Sequence, residues 1–267
     1  MSGYDLDVTT PRARAAQAAY ASDSAALDDD PFAVFDVDYG THARQRYDVF
    51  CAGDRAPAIL FFHGGYWRAG SKEARRFPAP VWRTRGVVWV SAGYRLCPEA
   101  RLAQSVEDAR SALAHLAGNA GAFGIDPARI HLCGNSAGAH LAAMAAASDT
   151  PVASLTVLSG LFDLTPLIYE RAAAHLDLTL AMARELSPLL HLPPPSVPVT
   201  IGWGGEESQD FADQSLAYFD ACRSQGTPVS LASSPGTDHF EVIGDLARPE
   251  TQIFRDMQRM ILPDAPG

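Results

Sequence analysis

The sequence predicts an α/β domain built on a mostly parallel central sheet with helices on both faces, and three observations predict it. Apolar runs recur at residues 58–62, 87–90, 130–133, 155–158, 197–201 and 229–232, and they are continuous rather than alternating, as strands covered by helices on both sides should be. Helical patterns lie between most of them, the alternation of a parallel sheet. Third, the apolar run at Ile130 meets Gly134-Asn135-Ser136-Ala137-Gly138 and then Ala-rich helical sequence, which is a strand, a sharp turn and a helix in succession.

Taken in order, the chain opens with Thr10-Pro11, a capping hydroxyl followed by proline at the first helical position. Ala-rich sequence continues to about Ala21 before Asp28-Asp29-Asp30-Pro31 breaks it, so residues 1–30 read as an N-terminal helical arm. Partial alternation in 32–39 and 46–50 suggests two strands, an antiparallel start to the sheet. The strand at 58–62 runs into His63-Gly64-Gly65-Tyr66-Trp67. In 101–117, Leu102, Val106, Ala109, Leu113 and Leu116 recur at spacings of three and four and form one buried helical stripe. Gly118 and Gly121 end it, at a spacing and place that do not suit a dinucleotide turn.

About thirty-six residues, 161–196, separate the strand ending at Ser159-Gly160 from the strand starting near Val197, too many for a bare loop in a compact domain. They predict an inserted cap. Its Leu176, Leu178, Leu180, Met182 and Leu186 either roof a pocket or close the core, and Pro193-Pro194-Pro195 is a stiff return to the sheet. With 267 residues, 47% of them hydrophobic, the whole chain is expected to form a single domain.

Charge excludes some partners. A net charge of −10 should repel nucleic acid and anionic membranes unless a local basic patch intervenes. The longest basic cluster, Arg75-Arg76 with Arg83 and Arg85, reads as solvated surface. Cys51, Cys97, Cys133 and Cys222 have no C-x-x-C spacing, so free thiols in a reducing, cytoplasmic compartment are expected. No run approaches the ~18 apolar residues of a membrane span. No phosphate loop and no metal-ligand spacing stand out, so neither cofactor nor metal is expected. A monomer and a homodimer are both left open.

Gly134 and Gly138 leave room for a serine on a strained strand-to-helix turn, with its hydroxyl clear of the strand end. Alone, G-x-S-x-G is short enough to arise by chance, and an ordinary capping serine is the bland alternative. A serine becomes a nucleophile only when a base takes its proton and a carboxylate holds that base. In the order serine, acid, histidine, His239 fits the base: it follows the last strand in Pro235-Gly236-Thr237-Asp238-His239-Phe240. His42 and His191 have no such placement, and His140, one turn into the helix after Ser136, suits packing. Past Trp203 the chain offers Glu206, Glu207 and Asp210, with Glu207 preferred as the acid. The developing oxyanion needs donors; the backbone amides of Ala137, Gly64 and Gly65 suit this. Tyr66, Trp67 and Trp203 are placed to flank an aromatic leaving group, with rim or core packing the alternative for each.

The combination of HGGYW (63–67), YRLCPE (94–99), GNSAGAH (134–140), SGLFDLTPL (159–167), ELSPL (185–189), GGEESQDFADQS (204–215) and GTDHF (236–240) resembles the α/β-hydrolase kynurenine formamidases, or arylformamidases, and their esterase relatives. The resemblance implies an α/β-hydrolase fold, with Ser136 as nucleophile, Glu207 as acid, His239 as base, and the Gly64 to Tyr66 loop with Ala137 as oxyanion site. Two positions depart from the pattern: similar proteins usually carry Asp where Glu207 stands, and His or Asp where Asn135 stands. The function expected is cofactor-free hydrolysis of a small acyl-amide or ester, an N-formyl arylamine such as N-formylkynurenine in the specific version. A short-acyl carboxylesterase using the same residues is the alternative, and a ligand-binding protein on a hydrolase scaffold is the reading outside catalysis.

Overall fold

A computed structural model describes residues 3–263 of the chain. Its elements are α1 (Pro11–Ala25), β1 (Ala33–Asp38), β2 (Arg46–Phe50), β3 (Ala56–Phe62), α2 (Ala79–Arg83), β4 (Val88–Ala92), α3 (Leu102–Gly118), β5 (Ile125–Asn135), α4 (Ala137–Ala146), β6 (Ser154–Leu158), α5 (Leu180–Glu185), β7 (Val199–Gly204), α6 (Gln209–Ser224), β8 (Val229–Ser234) and α7 (Gln252–Ile261). The strands form one eight-stranded sheet in the order β1-β2-β4-β3-β5-β6-β7-β8. β1 and β2 are antiparallel to their neighbours and β3 to β8 are parallel. The fold is the α/β-hydrolase fold.

Each of the eight predicted strands is present, and the physical reason lies in burial. Every residue of β3 and β4 is buried, which an alternating half-exposed strand would not allow. One face of the sheet packs against α3, α4 and α6 through Val106, Leu113, Leu141 and Phe211; the other packs against α1, α2 and α7 through Tyr20, Trp82, Phe254 and Met257. In α3 the predicted stripe of Leu102, Val106, Ala109, Leu113 and Leu116 is buried throughout. Thr10 caps α1 as expected, its hydroxyl accepting from the Ala13 amide at 3.1 Å.

The parallel pairing sets β3 and β5 side by side, with Phe61 opposite Cys133 and Phe62 opposite Gly134. The loops after these strands therefore emerge together at the carboxyl edge of the sheet, where open α/β sheets bind their ligands. Residues 161–196 hold three short 3₁₀ turns and α5. Leu176 and Leu186 are buried in the main core and Leu178 packs partly against it, while Leu180 is exposed.

The basic cluster is not the solvated surface its sequence suggests. Arg76 is buried and pairs with Asp28 at 2.5 Å and with the fully buried Asp48 at 2.6 Å. Lys72 reaches Asp48 at 2.7 Å, Asp36 at 2.9 Å and Glu73 at 2.9 Å, and Arg83 pairs with Asp30 at 2.6 Å. Short-range charge counting missed this because the acidic partners lie up to fifty-three positions away in sequence.

Candidate active site

The turn between β5 and α4 holds Ser136 at φ 54°, ψ −122°, a backbone conformation costing on the order of 1–3 kcal/mol for a residue with a side chain. Neighbouring glycines make it possible. A Cβ on Gly134 would sit 2.2 Å from the Gly138 carbonyl oxygen, and one on Gly138 would sit 2.0 Å from the Phe62 carbonyl oxygen. Both clashes are with main chain, which cannot swing aside. The Ser136 amide is anchored to the Leu158 carbonyl at 2.7 Å, so β6 holds the turn against its strain.

The loops after β7 and β8 bring two of the predicted partners to this serine. His239 Nε2 lies 3.0 Å from Ser136 Oγ, and His239 Nδ1 lies 2.7 Å from Glu207 Oε2. All three side chains are nearly excluded from solvent, and Phe211 packs its ring 4.3 Å from the imidazole. The other Glu207 oxygen, Oε1, accepts from the Gly204 amide at 2.5 Å and from the Ser159 hydroxyl. Three donors thus face the two oxygens of one buried carboxylate. The rival acids lie elsewhere: Asp210 accepts from the Gly3 amide at 2.8 Å, and Glu206 pairs with Arg12 at the surface.

The loop after β3 differs from expectation at one residue. The Gly64 amide is donated to Asn135 Oδ1 at 3.0 Å, so it is spent on holding the loop and is not free for an oxyanion. Among the described residues the amides of Gly65, Tyr66 and Ala137 have no protein acceptor. Gly65, Tyr66 and Trp67 all have positive φ, at 124°, 55° and 55°. Successive residues in such conformations turn their amides toward one concavity. Gly65 has no substitute here, since its Cβ would meet the Ala69 carbonyl oxygen at 2.2 Å.

Four side-chain contacts brace the loop. The Tyr94 hydroxyl donates to the His63 carbonyl at 2.7 Å and its ring stacks on the His63 imidazole. His63 Nδ1 contacts the Gly64 carbonyl at 2.7 Å, and burial drives the imidazole pKa down to about 3. Trp67 Nε1 donates to His140 Nδ1 at 3.2 Å, and His140 Nε2 in turn contacts the Leu186 carbonyl at 2.7 Å. His140 therefore ties the loop to α4 and to the segment before β7, the packing role expected of it. His175 Nε2 adds a 2.8 Å contact to the Tyr66 carbonyl.

A cavity of about 260 Å³ opens onto Ser136 and His239. Its walls include Tyr66, Arg68 and Gly65 from the loop, and Phe240 and Ile243 beyond the histidine. Tyr4, Asp5, Leu6, Val8 and Gln17 form another wall, so the N-terminal arm, rather than the leucines of 161–196, encloses much of it; Ala172 alone lines it from that segment. Arg12 fixes the arm in place: its guanidinium contacts Glu206 beside Glu207, and Glu241 and the Gly236 carbonyl on either side of His239 in the chain. Tyr66 lines the cavity as expected. Trp67 does not, because it is fully buried behind the loop against His140, and Trp203, on β7, is also absent from the lining. Proximity in sequence to a strand end placed both tryptophans near the site; side-chain direction took them away from it.

Sequence reasoning did not assign Ser159, Asn135, Arg12 or the arm. Ser159 had left a trace as the first residue of SGLFDLTPL, and Asn135 as a departure from the pattern of similar proteins. Among the described residues no group of three or more His, Cys, Asp or Glu is arranged to hold a metal ion, and no helix is long and apolar enough to cross a membrane.

Comparison with known proteins agrees with the geometry. A family model described as BD-FAE matches residues 48–157, which run from β2 through β6. A kynurenine formamidase of Danio rerio is 28% identical, over 85% of this chain and 82% of its own. An isoprenylcysteine alpha-carbonyl methylesterase of Arabidopsis thaliana is 24% identical, over 84% of this chain and 60% of its own. Among solved structures, a candidate thioesterase of Silicibacter sp. superposes with a TM-score of 0.82 at 26% identity, covering 95% of this chain and 96% of that one. By its sheet, its serine turn and these relatives, the chain is an enzyme of the α/β-hydrolase type.

Proposed function

We propose that the chain is an arylformamidase that hydrolyses N-formyl arylamines of the N-formylkynurenine type to formate and the free arylamine, with Ser136 as nucleophile, His239 as general base and acid, and Glu207 as the carboxylate that orients it. The observation that carries the reading is the unbroken hydrogen-bonded path from Ser136 Oγ through both nitrogens of His239 to Glu207. Glu207 accepts a proton-bearing Nδ1, which leaves Nε2 with its lone pair toward the serine. His239 takes the hydroxyl proton as Ser136 attacks the formyl carbon. The oxyanion is received by the amides of Gly65, Tyr66 and Ala137, donors that need no reorganisation because the loop and α4 already hold them; each contributes roughly 10²-fold in rate. His239 then protonates the departing arylamine, and water, activated by the same imidazole, releases formate from the serine.

The size and lining of the cavity support this reading. About 260 Å³ lined by the rings of Tyr4, Tyr66 and Phe240 suits a flat leaving group better than a long acyl chain. The second reading, a short-acyl carboxylesterase, draws on the methylesterase similarity and uses the same residues. Formate release from N-formylkynurenine, compared with turnover of p-nitrophenyl butyrate, separates the two. The first reading expects formate release to dominate and to vanish in Ser136→Ala; comparable rates on the butyrate overturn it. Labelling of Ser136 by a fluorophosphonate tests both against a scaffold that only binds.

A further inference from the structure

Arg75 is unlike its basic neighbours. Lys72 and Arg76 each share the buried Asp48, and Glu73 is taken by Lys72. Arg75, at the end of the same short turn, makes no ion pair among the described residues, in a chain with 31 acidic side chains. Its Nη1 donates to the Ala74 carbonyl at 2.8 Å, its Nε is buried with no acceptor, and Nη2 has no protein partner. The residue lines the cavity that holds Ser136 and His239. A guanidinium that is half-buried, with its Nε shut off from water and no counter-ion, is costly, and burial depresses its pKa. Its backbone is fixed independently, since Trp89 Nε1 donates to the Arg75 carbonyl at 3.1 Å.

From this we infer that Arg75 is the anion subsite of the cavity, pairing with a carboxylate carried by the leaving group of the substrate. The inference rests on the formamidase reading in one respect. A formyl group has no substituent to bear a charge, so the anion must sit on the arylamine side of the scissile bond. With Nη2 left without a protein partner, the planar guanidinium can turn its Nη end to a carboxylate. Arg68, the other cation on the cavity wall, is exposed and lies over the Tyr66 ring at 5.8 Å, so it is already solvated and gains less from such a partner. Asp5 is also on the wall and, like Arg68, exposed.

The test uses two matched substrate pairs. N-formylkynurenine and its decarboxylated analogue N-formylkynuramine differ in one carboxylate on the leaving group of a formamide; 3-acetoxybenzoate and phenyl acetate differ likewise for an ester. In the native chain kcat/KM should favour the carboxylated member of whichever pair is hydrolysed. Arg75→Gln should collapse that ratio by about 10- to 100-fold, the loss of one charge-assisted pairing, mostly through KM, and Arg75→Lys should restore part of it. Thermal unfolding of Arg75→Gln separates binding from folding: removing a half-buried cation that has no counter-ion should leave Tm unchanged or higher. An unaltered ratio in Arg75→Gln overturns the inference while leaving formamide hydrolysis standing. Carboxylate preference confined to the esters, with no formate released, overturns the formamidase reading and keeps the subsite.

Discussion

Glu207→Gln is nearly isosteric, yet the structure expects it to disable the site. Oε1 of Glu207 accepts from two donors, the Gly204 amide and the Ser159 hydroxyl, while Oε2 faces His239 Nδ1 alone. A glutamine can place its oxygen at only one of these positions. Turning the NH₂ toward Gly204 sets donor against donor and forfeits about 1 kcal/mol or more per lost bond, with the desolvation of a buried unsatisfied amide added. The oxygen therefore stays with Gly204 and Ser159, and the NH₂ points at His239. There it stabilises the tautomer with a bare Nδ1 and a protonated Nε2, which has no lone pair to take the Ser136 proton. The fall in kcat should be roughly 10³- to 10⁴-fold, the scale seen when a triad acid becomes its amide, with KM little changed because no cavity wall moves. The assay is formate release and p-nitrophenyl acetate turnover over pH 6 to 9, with unfolding followed in parallel. Retention of a tenth or more of native kcat, with the fold intact, would refute the role given to Glu207 and the tautomer reasoning with it.

Gly138→Ala should abolish folding or lower stability by about 3 kcal/mol or more, because the new Cβ meets main-chain atoms of Phe62 at 2.0 and 2.5 Å; urea titration measures it. Asn135→Ala frees the Gly64 amide from its 3.0 Å anchor, and kcat should drop about tenfold as the oxyanion loop loosens. Asn135→Asp keeps an acceptor at that position and should lose less; equal losses in the two variants would dissociate the anchor from catalysis. Acid should weaken the fold through three buried imidazoles. Burial lowers His63 to about 3, His131 to about 3 and His140 to about 4, all below the unfolded value near 6.5. Their neutral forms are accommodated above that value, and stability is lost as pH falls from 6.5 toward these depressed pKa values, by up to about 2 kcal/mol per imidazole at pH 5. Asp245, whose burial raises its carboxyl pKa, opposes the trend, so a Tm that stays level from pH 7 to 5 would mean that the histidines are not held neutral.

The strands, helix α3 and the turn that carries Ser136 were readable from residues 58–158 because they depend on local pattern. Continuous apolar runs mark doubly covered strands, and the glycines flanking Ser136 answer a steric demand confined to five residues. Helix α3 was legible for the same reason, its stripe being a property of one helix face. Choosing among Glu206, Glu207 and Asp210 was a different matter. Three carboxylates within five positions differ only in direction, and direction comes from how β7 hands over to α6 beside Ser159 and His239.

The same limit explains the errors at Gly64, Trp67 and Trp203. Which amide stays free, and which ring faces the cavity, depends on partners such as Asn135 and His140, which lie 71 and 73 positions away. The pairing of Arg76 with Asp48, the isolation of Arg75, and the use of the N-terminal arm as a cavity wall likewise exist only once distant segments meet. By itself the amino-acid order determined the scaffold and the strained turn that presents Ser136, because backbone periodicity and glycine sterics act over a few residues. Tertiary structure alone decided which charges are satisfied, which donors remain free and what shape of molecule reaches the serine, because those are properties of contacts between parts of the chain that no local pattern records.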